Sequence, residues 1–365
     1  MKAAFVTTNL KGGGAEKAVL EIAQGLAARG HSVHVILLEH LTQYAIPQGL
    51  ALDALTVQGE ESNKGWLGKR AAAWRLRRLF RRLSAVTRFD LVVSALPYCN
   101  EVVSLAGLGP AWFRIDNTLS VEIELLRRHN RAKARRRLER YRRLYDERNL
   151  IAVSDGVAHD LRQNLGLARA NIVRIYNAFD AARIQALAAE SIPSLPREPY
   201  LIHVGRFAPQ KRHDLLFEAL CRSKLPHRLV LLVNPAPSLE RLVAEQGLEG
   251  RVMIAGFQRN PYPWIAGADL LVLCSDHEGM PSVLIEALAC GTRVTSTDCP
   301  SGPRELLHGN LARYLVPCGD AAALAQAMRA ALSAPRPAVP DLLARFAPEA
   351  VLSQYEALPG LWREA

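Results

Sequence analysis

Short apolar runs alternate with amphipathic stretches along this chain, and the series is played through twice. Ala4–Thr8, His31–Leu38, Asp90–Leu96, Trp112–Ile115, Ile151–Ser154 and Ile172–Tyr176 have the length and β-branched content of buried strands. Between them lie helical patterns such as Glu16–Arg29, closed by Gly30. Residues 186–199 interrupt the series with Pro193, Pro196 and Pro199. It then restarts with strand candidates Tyr200–Val204, Leu229–Val233, Val252–Ala255, Leu270–Cys274 and Arg293–Ser296, and helix candidates His213–Cys221, Ser238–Gln246 and Ser282–Ala289. Strands alternating with helices predict parallel sheets with helices on both faces. The expected class is α/β with two doubly wound, Rossmann-like domains, at residues 1–185 and 186–340, followed by a terminal segment, 341–365, whose helix spans Pro348–Trp362.

A chain of 365 residues, 49% apolar, is long enough for two such cores. It holds no uncharged apolar run of about 18 residues, so no spanning helix is expected. Met1-Lys2 leads straight into a strand-like run without the pattern of a cleaved signal, and the chain is expected to be cytoplasmic. Six cysteines are scattered without a Cys-x-x-Cys pair, which argues against a zinc site or a disulfide framework and makes most of them small buried apolar residues. The net charge of +11 is uneven: residues 1–180 carry 28 Lys+Arg against 17 Asp+Glu, and the remainder carries 18 of each. The first half is therefore expected to face something anionic.

The stretch Asp276-His277-Glu278-Gly279-Met280-Pro281-Ser282-Val283-Leu284-Ile285-Glu286 sets two carboxylates eight positions apart across a loop-to-helix junction. Pro281 suits a first helical turn, where its missing N–H costs nothing. The helix start offers amides to an anion, and carboxylates on either side of it suit hydroxyl groups. That pairing fits a phosphorylated sugar. Arg206 and Lys211 follow the Tyr200–Val204 strand, at the end where open α/β sheets bind ligands. Gly12-Gly13-Gly14 lies between the first strand and first helix; it is neither a Walker A loop nor Gly-x-Gly-x-x-Gly, and a flexible turn is an equal reading.

The Glu278-x7-Glu286 spacing resembles the signature of retaining glycosyltransferases of the GT-B fold, in particular glycosyltransferase family 4. The resemblance extends to His203-Val204-Gly205-Arg206-Phe207 with Gln210-Lys211, to Gly13-Gly14-Ala15-Glu16, and to Ile175-Tyr176-Asn177-Ala178-Phe179-Asp180, in the family's order. It implies two Rossmann-like domains facing a central cleft, with acceptor on the first, nucleotide-sugar donor on the second, and a terminal helix crossing back to the first. It implies that Arg206 and Lys211 bind the donor diphosphate, and that Glu286 clamps the ribose. Glu278 would hold the transferred sugar, or else cap a helix. The residues from Gly279 through Met280, Pro281, Ser282, Val283 and Leu284 would line the sugar and distal phosphate, and the Gly13-Gly14 loop would close over the donor. Phe257 falls where relatives hold the base, though a buried aromatic reads as well. Many relatives carry a histidine where Asp116 or Asn117 stands here; Asp116 is either a sugar-binding, catalytic residue or a strand-end turn. Ser301-Gly302-Pro303-Arg304-Glu305 shapes the far edge of the pocket, with Arg304 alternatively on the surface.

No Asp-x-Asp motif is present, so no metal and no cofactor is expected, with a UDP-sugar favoured as donor. The expected acceptor is a lipid-linked or membrane-anchored glycan of lipopolysaccharide, O-antigen or exopolysaccharide synthesis. The alternatives are a GT-B nucleotide-sugar epimerase and a basic nucleic-acid-binding protein. Two basic stretches carry the charge. Trp74 to Leu83 is expected to be a packed helix with a solvated basic face. Residues 127–148, with eleven Lys+Arg, are expected to meet an anionic membrane, placing the protein peripherally on the inner face of the cytoplasmic membrane.

Overall fold

The computed structural model describes every residue except Ala45, Gln48 and Ala365. The chain divides into two compact units, Met1–Ala178 with Pro348–Ala365, and Phe179–Ala347. Among the described residues no helix is long and apolar enough to cross a membrane.

The first unit is built on seven strands: β1 (Lys2–Thr7), β2 (Ser32–Leu37), β3 (Ala51–Ala54), β4 (Leu91–Ala95), β5 (Ala111–Ile115), β6 (Asn149–Ala152) and β7 (Asn171–Arg174). Their order is β3-β2-β1-β4-β5-β6-β7, all parallel. The chain runs outward from β1 to one edge and then returns to build the other, so the strand order reverses between β1 and β4. Loops diverge at such a switch point and leave a crevice at the strand C-termini. Ala3, Ala4, Phe5 and Val6 of β1 are buried, as a strand covered on both faces must be. The terminal helix Pro348–Leu361 lies against the first helix, Gly14–Ala28. Gly25 permits that approach, since a Cβ there would stand 2.6 Å from Leu352 Cδ1. At the edge of the contact Glu356 accepts from Arg29 at 2.9 Å and lies 2.8 Å from His31 Nε2.

The second unit holds β8 (Tyr200–Val204), β9 (Arg228–Leu232), β10 (Val252–Ile254), β11 (Leu270–Leu273), β12 (Arg293–Thr297) and β13 (Leu315–Val316). They form a parallel sheet of order β10-β9-β8-β11-β12-β13, with its reversal between β8 and β11. One face packs on the helices His213–Ser223 and Ala321–Leu332 through Leu216, Leu220, Leu324 and Met328. The chain thus has the two parallel α/β sheets of a GT-B protein.

β3 and β13 escape the sequence pattern. The first is an Ala-rich edge strand interrupted by Asp53, the second is only two residues long, and neither forms an apolar run. The cysteine expectation needs correction. Cys99, Cys274 and Cys299 are buried and Cys290 is partly so, but Cys221 and Cys318 are exposed, because Cys221 falls on the outer side of its helix and Cys318 in a turn.

Candidate functional site

The reversal between β8 and β11 gathers most of the residues singled out above. β8 ends at Val204, and the chain passes through Gly205 and Arg206 to a single turn, Pro209–Lys211. Arg212 then adopts a left-handed conformation (φ 49°) before the helix His213–Ser223 begins. Two ion pairs offset that strain: Arg212 grips Asp214, with Nη2–Oδ2 at 2.8 Å, and donates to Asp276 Oδ1 at 3.0 Å. The loops after β8 and β11 are further stitched by Asp276 N–H to the Gln210 carbonyl at 2.9 Å and by Gln210 Nε2 to the His277 carbonyl at 2.5 Å.

Lys211 and Glu278 meet directly. Lys211 Nζ donates to Glu278 Oε1 at 2.5 Å, and Ser275 Oγ donates to the same oxygen at 2.6 Å. Glu278 is buried, and its backbone is fixed by bonds to Pro300 and Ser301. A lysine ammonium has three donors, so two remain to be directed elsewhere. Arg206 is exposed and takes part in no ion pair among the described residues. Two imidazoles lie beneath this loop. His203 is fully buried, with Nδ1 2.9 Å from the Val272 carbonyl, and its ring stands 4.8 Å edge-on from His213. Burial pushes His203 down to about 4 and His213 to about 3, with the Lys211 charge acting in the same sense. Both are neutral at pH 7, so they add no charge that would repel Lys211.

After Glu278 the chain makes the turn Gly279-Met280-Pro281 and enters the helix Ser282–Ala289. The N-cap residue is Pro281, which has no side-chain acceptor of its own to offer the first turn. Glu286, one turn in, is buried, whereas Ser282 and Val283 are partly exposed. Met280 is buried, and Leu284 points wholly into the core, so only its backbone can belong to a site. The turn is backed by Gly302 at φ 99°, where a Cβ would come within 2.5 Å of Pro281 Cδ and 3.2 Å of the Gly279 carbonyl. Arg304 forms a surface ion pair with Asp298. Phe257 is half-buried in the loop after β10.

Gly13, Gly14 and Asp116 belong to the first unit. Gly13 precedes the helix Gly14–Ala28, and the Glu16 carboxylate lies so close against it that a Cβ there would push the carboxylate aside. Asp116 follows β5 and pairs with the fully buried Arg114 at 2.9 Å. Arg114 also holds Asn177 and reaches the Ala15 carbonyl at 3.5 Å, tying the ends of three segments together. Asp116 Oδ2 is buried without a partner. Burial raises the Asp116 carboxyl above its ordinary range, and the Arg114 charge opposes the shift.

Sequence reasoning missed Ser275, Arg212 and the packing role of Gly302. Ser275 could have been found from its place directly after a strand, three residues before Glu278. No local pattern announces Arg212, whose partners are distant in sequence. Among the described residues no group of three or more His, Cys, Asp or Glu is clustered to hold a metal ion.

Residues 12–183 match the family model described as Glycosyltransferase Family 4, and residues 198–334 the model described as glycosyl transferases group 1. The N-acetylgalactosamine-N,N'-diacetylbacillosaminyl-diphospho-undecaprenol 4-alpha-N-acetylgalactosaminyltransferase of Campylobacter jejuni is 37% identical over 166 residues, 45% of each chain. The lipopolysaccharide 1,6-galactosyltransferase of Escherichia coli is 30% identical over 186 residues, 47% of this chain and 49% of that one. The chain thus spans about half the length of the curated relatives it matches. Among solved structures, Anabaena HepE in complex with UDP-glucose superposes with a TM-score of 0.76 at 20% identity, covering 99% of this chain and 100% of that one.

Proposed function

The chain is a member of glycosyltransferase family 4, and from that premise we propose that it moves a sugar from a nucleotide-diphosphate sugar, with retention and without a metal ion. The observation that carries the reading is the pairing of Lys211 with Glu278 beside the start of the helix Ser282–Ala289. Arg206, two Lys211 protons and the helix amides supply positive charge for a diphosphate. Glu286 accepts the ribose hydroxyls, and Glu278 those of the transferred sugar. As the glycosidic C–O bond breaks, its electron pair goes to the leaving phosphate oxygen, where fixed cations stabilise the growing charge. The acceptor oxygen attacks the anomeric carbon on the same face and gives its proton to that phosphate oxygen. Glu278 is a poor nucleophile for a covalent route, because Oε1 already accepts from both Lys211 and Ser275. In the first unit, the unpartnered Asp116 Oδ2 would accept a hydrogen bond from the sugar, and the Gly13-Gly14 loop would contact the donor.

HepE was solved with UDP-glucose, which favours a UDP-sugar. The names of the Campylobacter and Escherichia relatives favour an acceptor that is a diphospho-undecaprenol-linked or lipopolysaccharide glycan. The helix Arg131–Tyr145 buries Ala134, Tyr141, Leu144 and Tyr145 and exposes Arg131, Lys133, Arg135, Arg136 and Arg143, which supports association of residues 127–148 with the anionic inner face of the cytoplasmic membrane.

Thermal shift with UDP-, GDP- and ADP-sugars in EDTA tests the donor assignment. One nucleotide series should raise the melting temperature of the wild type without added metal, by mass action, and Glu286→Ala should lose most of the shift. A shift that appears only with magnesium or manganese, or survives intact in Glu286→Ala, would refute it.

A further inference from the structure

The helix Trp66–Leu83 contains seven basic residues and no acidic one. Its inner face, Ala72, Ala73, Leu76 and Phe80, is buried, as expected of a helix that covers the sheet. Its outer face is not the plain solvated basic surface expected from the sequence. Trp66 is 69% exposed, Leu67 72% and Trp74 62%. Three of the eight large apolar side chains that stand in solvent among the described residues therefore lie on this one helix. At 100° per residue, Trp66, Leu67, Arg70, Trp74, Arg78 and Arg81 share one side of the helix. The Arg70 guanidinium lies 5.0 Å from the centre of the Trp66 ring and that of Arg78 5.8 Å from Trp74. Among the described residues no carboxylate pairs with Arg70, Arg75, Arg78 or Arg81. A merely solvated face has no use for two tryptophans, whose rings are higher in free energy in water than in an apolar setting.

We propose that the outer face of the helix Trp66–Leu83 is a bilayer-docking surface, in which Trp66, Leu67 and Trp74 enter the headgroup–acyl boundary of an anionic membrane while the arginines bind lipid phosphates. Indole rings favour that boundary, and an arginine stacked on one can keep its charge at phosphate level while its stem lies along apolar surface. The occupant is a membrane because this helix mixes exposed apolar rings with unpaired positive charge and contains no acidic residue to answer a protein partner's cations. The helix Arg131–Tyr145 differs: it presents charge, pairs Arg135 with Glu139 at 2.9 Å, and has no large apolar side chain in solvent. The inference rests on the membrane placement proposed above. It divides the contact into a purely electrostatic helix and an inserting one.

The test is binding of the full chain to phosphatidylcholine vesicles with and without phosphatidylglycerol. Anionic vesicles should shift wild-type tryptophan emission to the blue, and brominated lipid should quench it. Trp66→Ser with Trp74→Ser should abolish both signals and cut partitioning about tenfold, leaving only binding that salt removes. Both side chains are exposed, so melting temperature should be unchanged. If the double variant binds as tightly as the wild type while Arg135→Gln, Arg136→Gln and Arg137→Gln together abolish binding, the inserting helix is refuted and the electrostatic one stands. If the wild type binds no vesicle, both fail. Self-association of the wild type that is lost in the tryptophan variant would make the patch a contact between copies, and would equally overturn the proposal.

Discussion

Lys211 neutralises Glu278, and in the proposed reaction it also faces a diphosphate. Lys211→Ala would leave the Glu278 carboxylate buried with Ser275 still bonded but without its counter-charge, and would remove a cation whose worth grows as the leaving group departs. The expected result is a kcat lower by 10²–10³-fold, about 3 kcal/mol, with a smaller change in donor binding. Steady-state kinetics with matched donor and acceptor checks this; full turnover in the variant would place the stabilising charge elsewhere. The sequence could show that Arg206 and Lys211 follow one strand and that Glu278 and Glu286 flank a helix start, because spacing and flanking strands are local facts. It could not show that Lys211 and Glu278 share a bond, or that Ser275 donates to the same oxygen, since those contacts form only when the loops after β8 and β11 are stitched by Gln210 and Arg212. Asp116 was legible as a strand-end residue, but not its dependence on Arg114, which looks in sequence like any arginine and is wholly buried.

At the scale of elements, the turn Gly279–Pro281 owes its shape to a residue outside it. Gly302 occupies a backbone region that L-residues rarely adopt and leaves no room for a methyl group against Pro281. Gly302→Ala should cost about 1–3 kcal/mol of stability and displace the turn, so that the melting temperature falls and the donor-induced shift falls more than proportionately. A variant that melts lower but keeps the full donor shift would show that the turn does not contact the donor. The strands and helices around this turn were legible to within a few residues because each is a continuous apolar run or a clear amphipathic period, as in β8 and the helix Ser282–Ala289. The edge strands β3 and β13 were not, since half-exposed edges need no apolar run. The face of the helix Trp66–Leu83 was half legible. Its buried side followed from periodicity, but which side each tryptophan took depended on where the sheet lay.

For the whole molecule, the segment Pro348–Leu361 matters more than its length suggests. Val351, Leu352, Tyr355 and Leu358 are buried in the first unit, with the Tyr355 ring 6.2 Å from that of Phe5 in β1. Their burial contributes roughly 6–12 kcal/mol as an upper bound, comparable to the whole stability of an ordinary domain. Removing residues 348–365 should therefore unfold or strongly destabilise the first unit, while hydrogen exchange in β8, β9 and β11 stays protected. Unchanged protection in β1 and β4 would contradict this. The second unit is one uninterrupted stretch of chain, Phe179–Ala347, and the first is not. On a ribosome, the half made first therefore cannot finish first: β1 to β7 emerge early, yet must wait for a helix translated more than 170 residues after β7 ends at Arg174. Throughout that interval the seat of the helix, including Gly25, stays uncovered, and a nascent chain of this topology exposes that apolar surface to chaperones and proteases.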